Sequence, residues 1–449
     1  MTNPMSIRFG KNKDQTFCFC KVWSDIIGYI CRPNFIFLKS LVYKEAMKQI
    51  VRQDYLDTLI GLKDKNLIKM LTGVRRCGKS TVMQMFRDYL KTQGVKNKQI
   101  VFLNFEDFEN HKWLNNLEGL YYHIINQLDL SKPCYVFLDE VQNVKEFERL
   151  VDGLYVKPNI DVYVTGSNAY LLSSELGTLL TGRYYAIHIL PFSFREYLLT
   201  QEDISRTDLL FAKYMQNGGL PGTIELPEEN IRNYVKGVIE NIIQKDVLVR
   251  HKWQNQEYFD KTTAFLFDAI GSTISPKKIT NTLQSAGIKI SHNTIGNYLD
   301  ALTECYLFYK VKRFDVKGRQ LLMTQEKYYT VDLGFKKYFL GEKADLDLGH
   351  NLENIVYNEL LYKGYTLFVY NNAGHEIDFL ATKGNKKYLI QVAYSIAEEK
   401  AYARELGAFN QLDNSMKKII ITNDELDYST STVTHYRLPD FLRSNSLDD

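Results

Sequence analysis

Short apolar runs recur along the first half of the chain, and polar residues follow most of them. The stretches between them repeat apolar side chains every three to four positions, which is typical of amphipathic helices. Strands that alternate with helices predict a parallel sheet with right-handed crossovers. The predicted strands are 67–71, 100–105, 134–138, 160–165 and 184–190.

Polar residues stand where three of these strands end. Glu106 and Asp107 follow the second strand, Asp139 and Glu140 follow the third, and the fourth runs into residues 166–168. Ligands of open α/β sheets bind at the carboxyl ends of the strands. The pattern therefore predicts a ligand site at this edge.

The segment after the first strand fits the phosphate-loop pattern G-x-x-x-x-G-K-[S/T]. Glycines let backbone N–H groups approach a phosphate chain closely. We expect Lys79 to reach the β- and γ-phosphates and the Ser80 hydroxyl to ligate Mg²⁺. A helix predicted over 81–90 completes the context that the motif needs. The residues predicted to bind ATP are Gly73, Val74, Arg75, Arg76, Cys77, Gly78, Lys79, Ser80 and Thr81.

The acidic pair after the third strand is the second signal for nucleotide chemistry. Asp139 is expected to hold Mg²⁺ through its water shell, and Glu140 to act as general base toward the attacking water. An alternative is a helix N-terminus, where acids are favoured by the helix dipole.

Five further side chains have two interpretations each. Asn168 or Ser167 could bond the γ-phosphate or the attacking water, or could cap a turn. Arg183 could stabilise charge on the transferred phosphoryl group, in its own chain or a neighbouring one, or form an exposed ion pair. Arg75 and Arg76, inside the loop, could contact phosphate, but packing against neighbouring acids is favoured.

Composition adds limits rather than chemistry. The 449 residues suffice for about three domains. A formal net charge of +3 gives no argument for nucleic acid binding by the molecule as a whole. The six cysteines form no disulfide framework, which predicts a reducing cytoplasm. In the first 45 residues charged side chains interrupt the apolar stretch, so we expect no membrane span there and assign that extension no chemistry.

From residue 192 to 250 the pattern is helical and predicts a lid over the nucleotide cleft, broken at 218–222. Helices predicted over 275–283 and 292–302, with strands and a turn at Lys317-Gly318 after them, predict a winged helix. Between residues 277 and 319 there are eight Lys and Arg side chains against three Asp and Glu. This segment could bind a DNA backbone or serve protein packing.

The last segment, from residue 349, has the order helix, three strands, helix, strand. Glu353, Asp378 and Gln391 are expected to meet at one edge, where such groups could bind Mg²⁺ for phosphodiester cleavage. The third strand carries Gln-Val-Ala at 391–393, where a nuclease needs an acid and, two residues later, a lysine. The pattern therefore favours a degenerate site over an active nuclease.

These motifs resemble an uncharacterised group of prokaryotic AAA-type ATPases, over about residues 46 to 425. The resemblance implies an ATPase core, a winged helix and a PD-(D/E)XK nuclease-like domain that is often degenerate. It places ATP at residues 73–81 and hydrolysis at Asp139 and Glu140. The matching segments are Gly73–Thr81, Phe137–Gln142, Thr165–Asn168, Leu180–Arg183, Leu190–Tyr197, Gly218–Pro221, Lys327–Gly334, Leu352–Leu360 and Glu376–Phe379.

The predicted fold class is α/β, with a parallel-sheet AAA-type core and a smaller nuclease-like α/β domain. We expect a Mg²⁺-dependent ATPase that couples nucleotide state to DNA or partner binding. The alternatives are an ATP-bound switch or scaffold that recruits a protein partner, and an ATP-regulated nuclease. The predicted domains are an extension at 1–45, the ATPase core at 46–198, the lid at 199–255, the winged helix at 256–345 and the nuclease-like domain at 346–449.

Overall fold

The structure, a computed structural model, describes residues 50–448 apart from short gaps. The expectations for residues 1–45 and for the turn at Lys317-Gly318 lie outside the described residues. The gaps are 170–179, 181, 249–254, 316–325, 373–374, 411 and 413–414.

A five-stranded parallel sheet with the strand order β2-β3-β4-β1-β5 forms the first part of the fold. This confirms the predicted parallel α/β core. The phosphate-loop strand β1 lies between β4 and β5, so the loop at its carboxyl end lies beside the ends of both strands. The strands are β1 (Ile68–Thr72), β2 (Ile100–Asn104), β3 (Cys134–Asp139), β4 (Ile160–Gly166) and β5 (Tyr184–His188).

Helices cover both faces of this sheet, because strand residues alternate between two apolar cores. In β3, Tyr135 and Phe137 pack into the core shared with α1 and α2, whereas Val136 and Leu138 pack into the core shared with α3 and α4. The helices are α1 (Gln53–Leu62), α2 (Lys79–Thr92), α3 (Leu117–Gln127) and α4 (Phe147–Tyr155).

Three helices and a π-helical turn follow the sheet. Helix α5 begins with a capping box, in which Ser193 and Glu196 bond each other's backbone N–H groups. The elements are α5 (Phe194–Leu199), α6 (Thr207–Asn217), α7 (Glu228–Ile242) and the π-helix Ile243–Leu248.

A small antiparallel sheet with the order β6-β9-β7 packs with the next helices. On α10 the buried side chains include Ile295, Leu299 and Leu302, as its periodicity predicts. The elements are α8 (Gln256–Asp268), β6 (Thr273–Ile274), α9 (Pro276–Ser285), α10 (His292–Glu304), β7 (Phe308–Val311), β8 (Arg313–Asp315), β9 (Glu326–Thr330) and α11 (Leu333–Leu340).

A six-stranded mixed sheet, in the order β14-β13-β12-β11-β10-β8, forms the C-terminal part. Its edge strand β8 comes from the middle of the chain and pairs in parallel with β10. The other elements are α12 (Leu348–Tyr362), β10 (Thr366–Asn372), β11 (His375–Lys383), β12 (Lys386–Val392), α13 (Glu399–Gly407), β13 (Lys417–Thr422), β14 (Val433–Arg437) and α14 (Leu438–Arg443).

The segments Gly218–Pro221 and Lys327–Gly334 meet at the buried carboxylate of Asp332. Asp332 accepts hydrogen bonds from the backbone N–H of Gly219 at 2.8 Å and of Gly334 at 2.7 Å. A Cβ on Gly218 would lie 1.7 Å from Asp332 Oδ1, and its φ of +77° also favours glycine. The Gly-Gly-Leu-Pro segment is therefore shaped to wrap this carboxylate. Burial raises the pKa of Asp332 to about 6, and the backbone N–H groups oppose the shift.

Asp332→Asn should change how stability depends on pH. Because the pKa of this carboxyl is about 6 when folded and 3.8 by its ordinary value, the folded wild type binds the proton more tightly. Its stability should fall as pH rises from about 4 to about 6, by up to about 3 kcal/mol. Urea unfolding midpoints of both proteins between pH 4.5 and 7.5 measure this difference.

As pH rises across that range, the stability of the Asp332→Asn variant should increase relative to that of the wild type. Asp203→Asn is the control, because hydrogen bonds from Ser205 lower the pKa of that exposed carboxyl, and its effect should be flat above pH 4.5. A constant difference between wild type and Asp332→Asn across the range would mean that Asp332 stays ionised.

Candidate nucleotide site

The phosphate loop follows β1 and ends where α2 begins. Gly73 has a φ of +143° and Gly78 a φ of +102°, both in the region that favours glycine. A Cβ on Gly73 would lie 2.1 Å from the carbonyl oxygen of Ile189, the residue after β5. The first glycine of the motif is therefore required by close packing against β5 as well as by loop geometry.

Lys79 opens α2 and points back into the loop. Its Nζ donates to the carbonyl oxygens of Gly73 at 3.0 Å and Val74 at 3.1 Å, and it lies 3.8 Å from Glu140 Oε1. The side chain is only 3% exposed. A phosphate oxygen is a stronger acceptor for an ammonium group than a neutral carbonyl is. The ammonium is thus held inside the loop by bonds that an anionic ligand can replace.

Asp139 lies at the end of β3, beside the loop. Its Oδ1 accepts from Ser80 Oγ at 3.0 Å and Thr165 Oγ1 at 2.5 Å, and its Oδ2 accepts from Asn104 Nδ2 at 3.0 Å. Burial raises the pKa of Asp139, and the bonds from Thr165 and Ser80 oppose the shift. The two residues predicted to hold Mg²⁺, Ser80 and Asp139, are therefore in direct contact.

Glu140 adopts a backbone conformation that is costly for a side-chain-bearing residue. Its φ of +52° and ψ of +47° are left-handed, which costs roughly 1–2 kcal/mol. Its N–H donates to Thr165 Oγ1 at 2.8 Å, and its carboxylate accepts from Gln142 Nε2 at 2.5 Å. Such strain clusters at functional sites, and here it accompanies a carboxylate beside Lys79.

The residues after β4 contact Asp246, which the sequence analysis did not predict as part of the site. Ser167 Oγ donates to Asp246 Oδ1 at 3.2 Å, and Asn168 Nδ2 donates to the Asp246 carbonyl at 3.4 Å. Arg75 bonds the same carboxylate from Nε at 2.6 Å and also reaches Glu106 at 2.9 Å. Arg75 therefore packs against neighbouring acids, as its alternative interpretation expected. Asp246 belongs to the π-helical turn after α7, so it joins the loop to the next part of the chain.

The structure does not bring Arg183 to the loop of its own chain. Arg183 precedes β5, where its carbonyl accepts from Ile68 N at 2.8 Å, at the amino end of the sheet. Five residues of parallel strand, or about 16 Å, separate that end from the phosphate loop. Its side chain is 45% exposed and pairs with Asp152 at 2.5 Å. Action of Arg183 on a neighbouring chain stays a prediction.

A second polar cluster lies in the C-terminal part. Glu353 and Asp378 do meet, and Gln391 Oε1 accepts from the Asp378 backbone N–H at 3.3 Å. Between the carboxylates lies the ammonium of Lys327, from β9. It is 3.0 Å from Glu353 Oε1, 3.2 Å from Asp378 Oδ1 and 3.1 Å from Glu376 Oε1. The sequence pattern missed Lys327, since its partners are far away along the chain.

The charges in this cluster favour an internal ion pair. Burial and then the charge of Glu353 raise the pKa of Asp378. Burial alone would lower the pKa of Lys327, but its three carboxylate partners raise it above the ordinary value. Across the residues that the structure describes, no group of three or more His, Cys, Asp or Glu side chains could hold a metal ion. Among the same residues, no helix combines the length and apolar character needed to cross a membrane.

Three family models match the chain. An AAA domain matches residues 65–198, which confirms the predicted AAA-type core. Domains of unknown function match 208–346 (DUF8612) and 348–441 (DUF4143). The predicted domain boundaries stay predictions.

Several relatives match most of the chain. An uncharacterised protein of Haemophilus influenzae is 37% identical over 377 residues, which cover 83% of this chain and 93% of that protein. The chain therefore belongs to the same family as this Haemophilus influenzae protein. An uncharacterised protein of Methanocaldococcus jannaschii is 30% identical over 383 residues, with 80% of this chain and 83% of that protein covered. Family membership thus extends well beyond the AAA domain, into both segments that follow it.

Among solved structures, a Walker-type ATPase of Pyrococcus abyssi is similar with a TM-score of 0.48 and 14% identity. The match covers 65% of this chain and 95% of that one.

Proposed function

We propose that the protein binds Mg-ATP at residues 73–81, hydrolyses it, and couples its nucleotide state to the segments that follow the AAA domain. The observation that carries this proposal is the 3.0 Å contact between Ser80 Oγ and Asp139 Oδ1. It joins the loop to the acidic end of β3, with Lys79 and Glu140 beside it. This is the arrangement that a phosphate loop needs for nucleotide chemistry.

Each side chain has one role in the proposal. Backbone N–H groups of the loop cradle the phosphates, and Lys79 neutralises the β- and γ-phosphates. The Ser80 hydroxyl and Asp139 carboxylate would hold Mg²⁺, which supplies charge neutralisation at the phosphate oxygens when bound. Glu140 takes a proton from the attacking water. Asn168 or Ser167 bonds the γ-phosphate or that water.

Contacts between the AAA domain and the middle segment, residues 208–346, support coupling. Asp246 joins Arg75 of the loop to the π-helical turn after α7. At the end of β5, His188 Nε2 lies 2.6 Å from the hydroxyl of Tyr309, in β7. The AAA domain thus contacts the segment that follows it at two separate places, Asp246 and Tyr309.

DNA is the proposed partner of the middle segment. The element order from α8 to β9 and the basic residues between 277 and 319 support a winged helix that contacts phosphate backbone. On α10, the face with His292, Asn293 and Asn297 is exposed. A protein partner of the same face remains the second candidate, since this outward face carries little positive charge.

Steady-state ATPase rates with and without double-stranded DNA test the proposal. We expect turnover that needs Mg²⁺, rises with DNA, and loses that stimulation as salt increases. DNA-independent turnover would instead favour the switch that recruits a protein. Rates measured at several protein concentrations also test Arg183, because action on a neighbouring chain makes activity rise faster than linearly.

Lys327→Met tests whether the C-terminal cluster is an internal ion pair. Removing the ammonium leaves Glu353, Glu376 and Asp378 facing one another, which should cost about 3–5 kcal/mol of stability. In the wild type the ammonium lies among these carboxylates, whereas in the variant Mn²⁺ could take its place and restore part of the lost stability. The variant's melting temperature should therefore rise with Mn²⁺ while that of the wild type does not. Differential scanning calorimetry with and without Mn²⁺ measures both effects.

Lys336→Met is the matched control for that experiment. Lys336 is also buried, but it pairs with one carboxylate, Asp347, at 3.3 Å. Its removal should lower stability without creating a response to Mn²⁺. We also expect wild-type protein to leave DNA intact with Mg²⁺ or Mn²⁺. Cleavage by the wild type that is lost in the Asp378→Ala variant would instead support the hypothesis of an ATP-regulated nuclease.

A further inference from the structure

Arg52 is a buried arginine that contacts the phosphate loop. The proposed chemistry assigns it no role. Arg52 precedes α1, and its side chain is only 2% exposed. Its Nε and one terminal nitrogen each bond an oxygen of Glu196 at 2.8 Å. A planar guanidinium in such a two-point pair has a fixed orientation. Glu196 itself is fixed by the capping box at the start of α5.

The remaining donors of Arg52 reach three backbone carbonyls. Its other terminal nitrogen donates to Cys77 O at 3.0 Å and to Leu190 O at 2.9 Å. The nitrogen shared with Glu196 also reaches Pro191 O at 3.4 Å. Cys77 lies inside the phosphate loop, and Leu190 and Pro191 follow β5. One side chain thus ties the loop to the chain beyond β5 and to α5.

The contact with Cys77 fixes the orientation of one peptide plane in the loop. In a trans peptide the C=O of Cys77 and the N–H of Gly78 point in opposite directions. While Arg52 holds the carbonyl on its own side, the Gly78 N–H must point away from Arg52. A phosphate loop works through N–H groups turned toward its ligand, so the orientation of this plane bears directly on binding.

We propose that Arg52 is a positioning residue of the phosphate loop, which holds the Cys77 carbonyl so that the Gly78 N–H faces the phosphates. This inference rests on the proposed function, since it assumes that the loop binds ATP. The partner is the phosphate chain itself rather than the base, so ADP and ATP should both depend on Arg52.

Two variants separate the loop contact from the buried ion pair. The double variant Arg52→Met with Glu196→Met removes both charges, so neither is left buried alone. Arg52→Lys keeps a cation beside Glu196 but lacks the fork that also reaches Cys77. For both we expect KM for ATP to rise about tenfold with kcat nearly unchanged, because the loop N–H groups hold the phosphates in both ground and transition states. The dissociation constant for ADP should rise by a similar factor.

The matched control is the buried pair of Lys69 and Asp161, which lies in the amino-terminal halves of β1 and β4. Its Nζ to Oδ1 distance is 2.5 Å, and its side chains are 0% and 7% exposed. The double variant Lys69→Met with Asp161→Asn should lower stability while KM stays near the wild-type value. An equal rise of KM in this control would mean that general loosening of the domain is responsible, and would overturn the inference.

The possible results separate this inference from the function on which it rests. Wild-type protein that does not bind Mg-ATP refutes the proposed function. Wild-type protein that binds Mg-ATP, together with Arg52 variants of unchanged KM, refutes the role of Arg52 alone. A fall in kcat at unchanged KM would also refute it, because that pattern indicates an interaction made only in the transition state.

Discussion

Lys79→Ala should abolish measurable ATP binding. The ammonium is buried in the loop, where its present acceptors are two carbonyls that a phosphate can replace. Hydrogen bonds to charged groups contribute about 1.5–3 kcal/mol each, and Lys79 is expected to make bonds to two phosphates. Affinity should therefore fall by a factor of about 100 or more. Isothermal titration calorimetry with Mg-ATP measures the loss.

Lys91→Ala is the control, since Lys91 is exposed in the last turn of the same helix. Its removal takes away an equal charge about 18 Å along the axis of α2. It should leave the heat of binding unchanged. If the Lys79→Ala variant binds Mg-ATP as tightly as wild type, the loop is not the nucleotide site.

Glu140→Gln should keep ATP binding and lose turnover. An amide cannot accept the proton of the attacking water, and loss of a general base typically lowers rates by about 10²- to 10⁴-fold. The backbone should hold its place, because its N–H bond to Thr165 Oγ1 does not involve the replaced carboxylate. Phosphate release under single-turnover conditions measures the chemical step, and calorimetry on the same protein measures binding.

Glu146→Gln gives a matched comparison. Glu146 also has a left-handed backbone, with a φ of +57°, but its exposed carboxylate pairs with Arg149 on the surface. The two glutamates therefore share the backbone strain, but only the Glu140 carboxylate lies beside Lys79. Normal turnover in the Glu140→Gln variant would remove Glu140 from the role of base, whereas slow turnover in the Glu146→Gln variant would point to the backbone instead.

The ends of the strands were predictable from sequence to within one or two residues, and with them the polar side chains that meet beside the phosphate loop. A short apolar run bounded by polar residues, with helical patterns on either side, is typical of a strand that is buried on both faces. Accordingly, β3 begins at Cys134 as predicted, and its end presents Asp139 to Ser80. The local pattern was sufficient because neighbouring parallel strands bring their carboxyl ends to one edge.

The side chains that hold the site in place could not be predicted in this way. Arg52 and Glu196 are 144 positions apart, and Arg75 and Asp246 are 171 apart. A charged residue that ends in a buried pair looks the same in sequence as one on the surface, because only the tertiary fold supplies its partner. The same reason hid Lys327, whose carboxylates come from α12 and β11.

The edge strand β8 determines which C-terminal fragments of this protein keep a complete sheet edge. A fragment that starts at residue 348 would lack Arg313–Asp315 and leave the N–H and C=O groups on that side of β10 without a strand to bond. Open edges of that kind recruit other chains and promote aggregation. Excised C-terminal fragments should thus be poorly soluble, whereas a fragment that also includes residues 313–315 keeps the partner strand of β10.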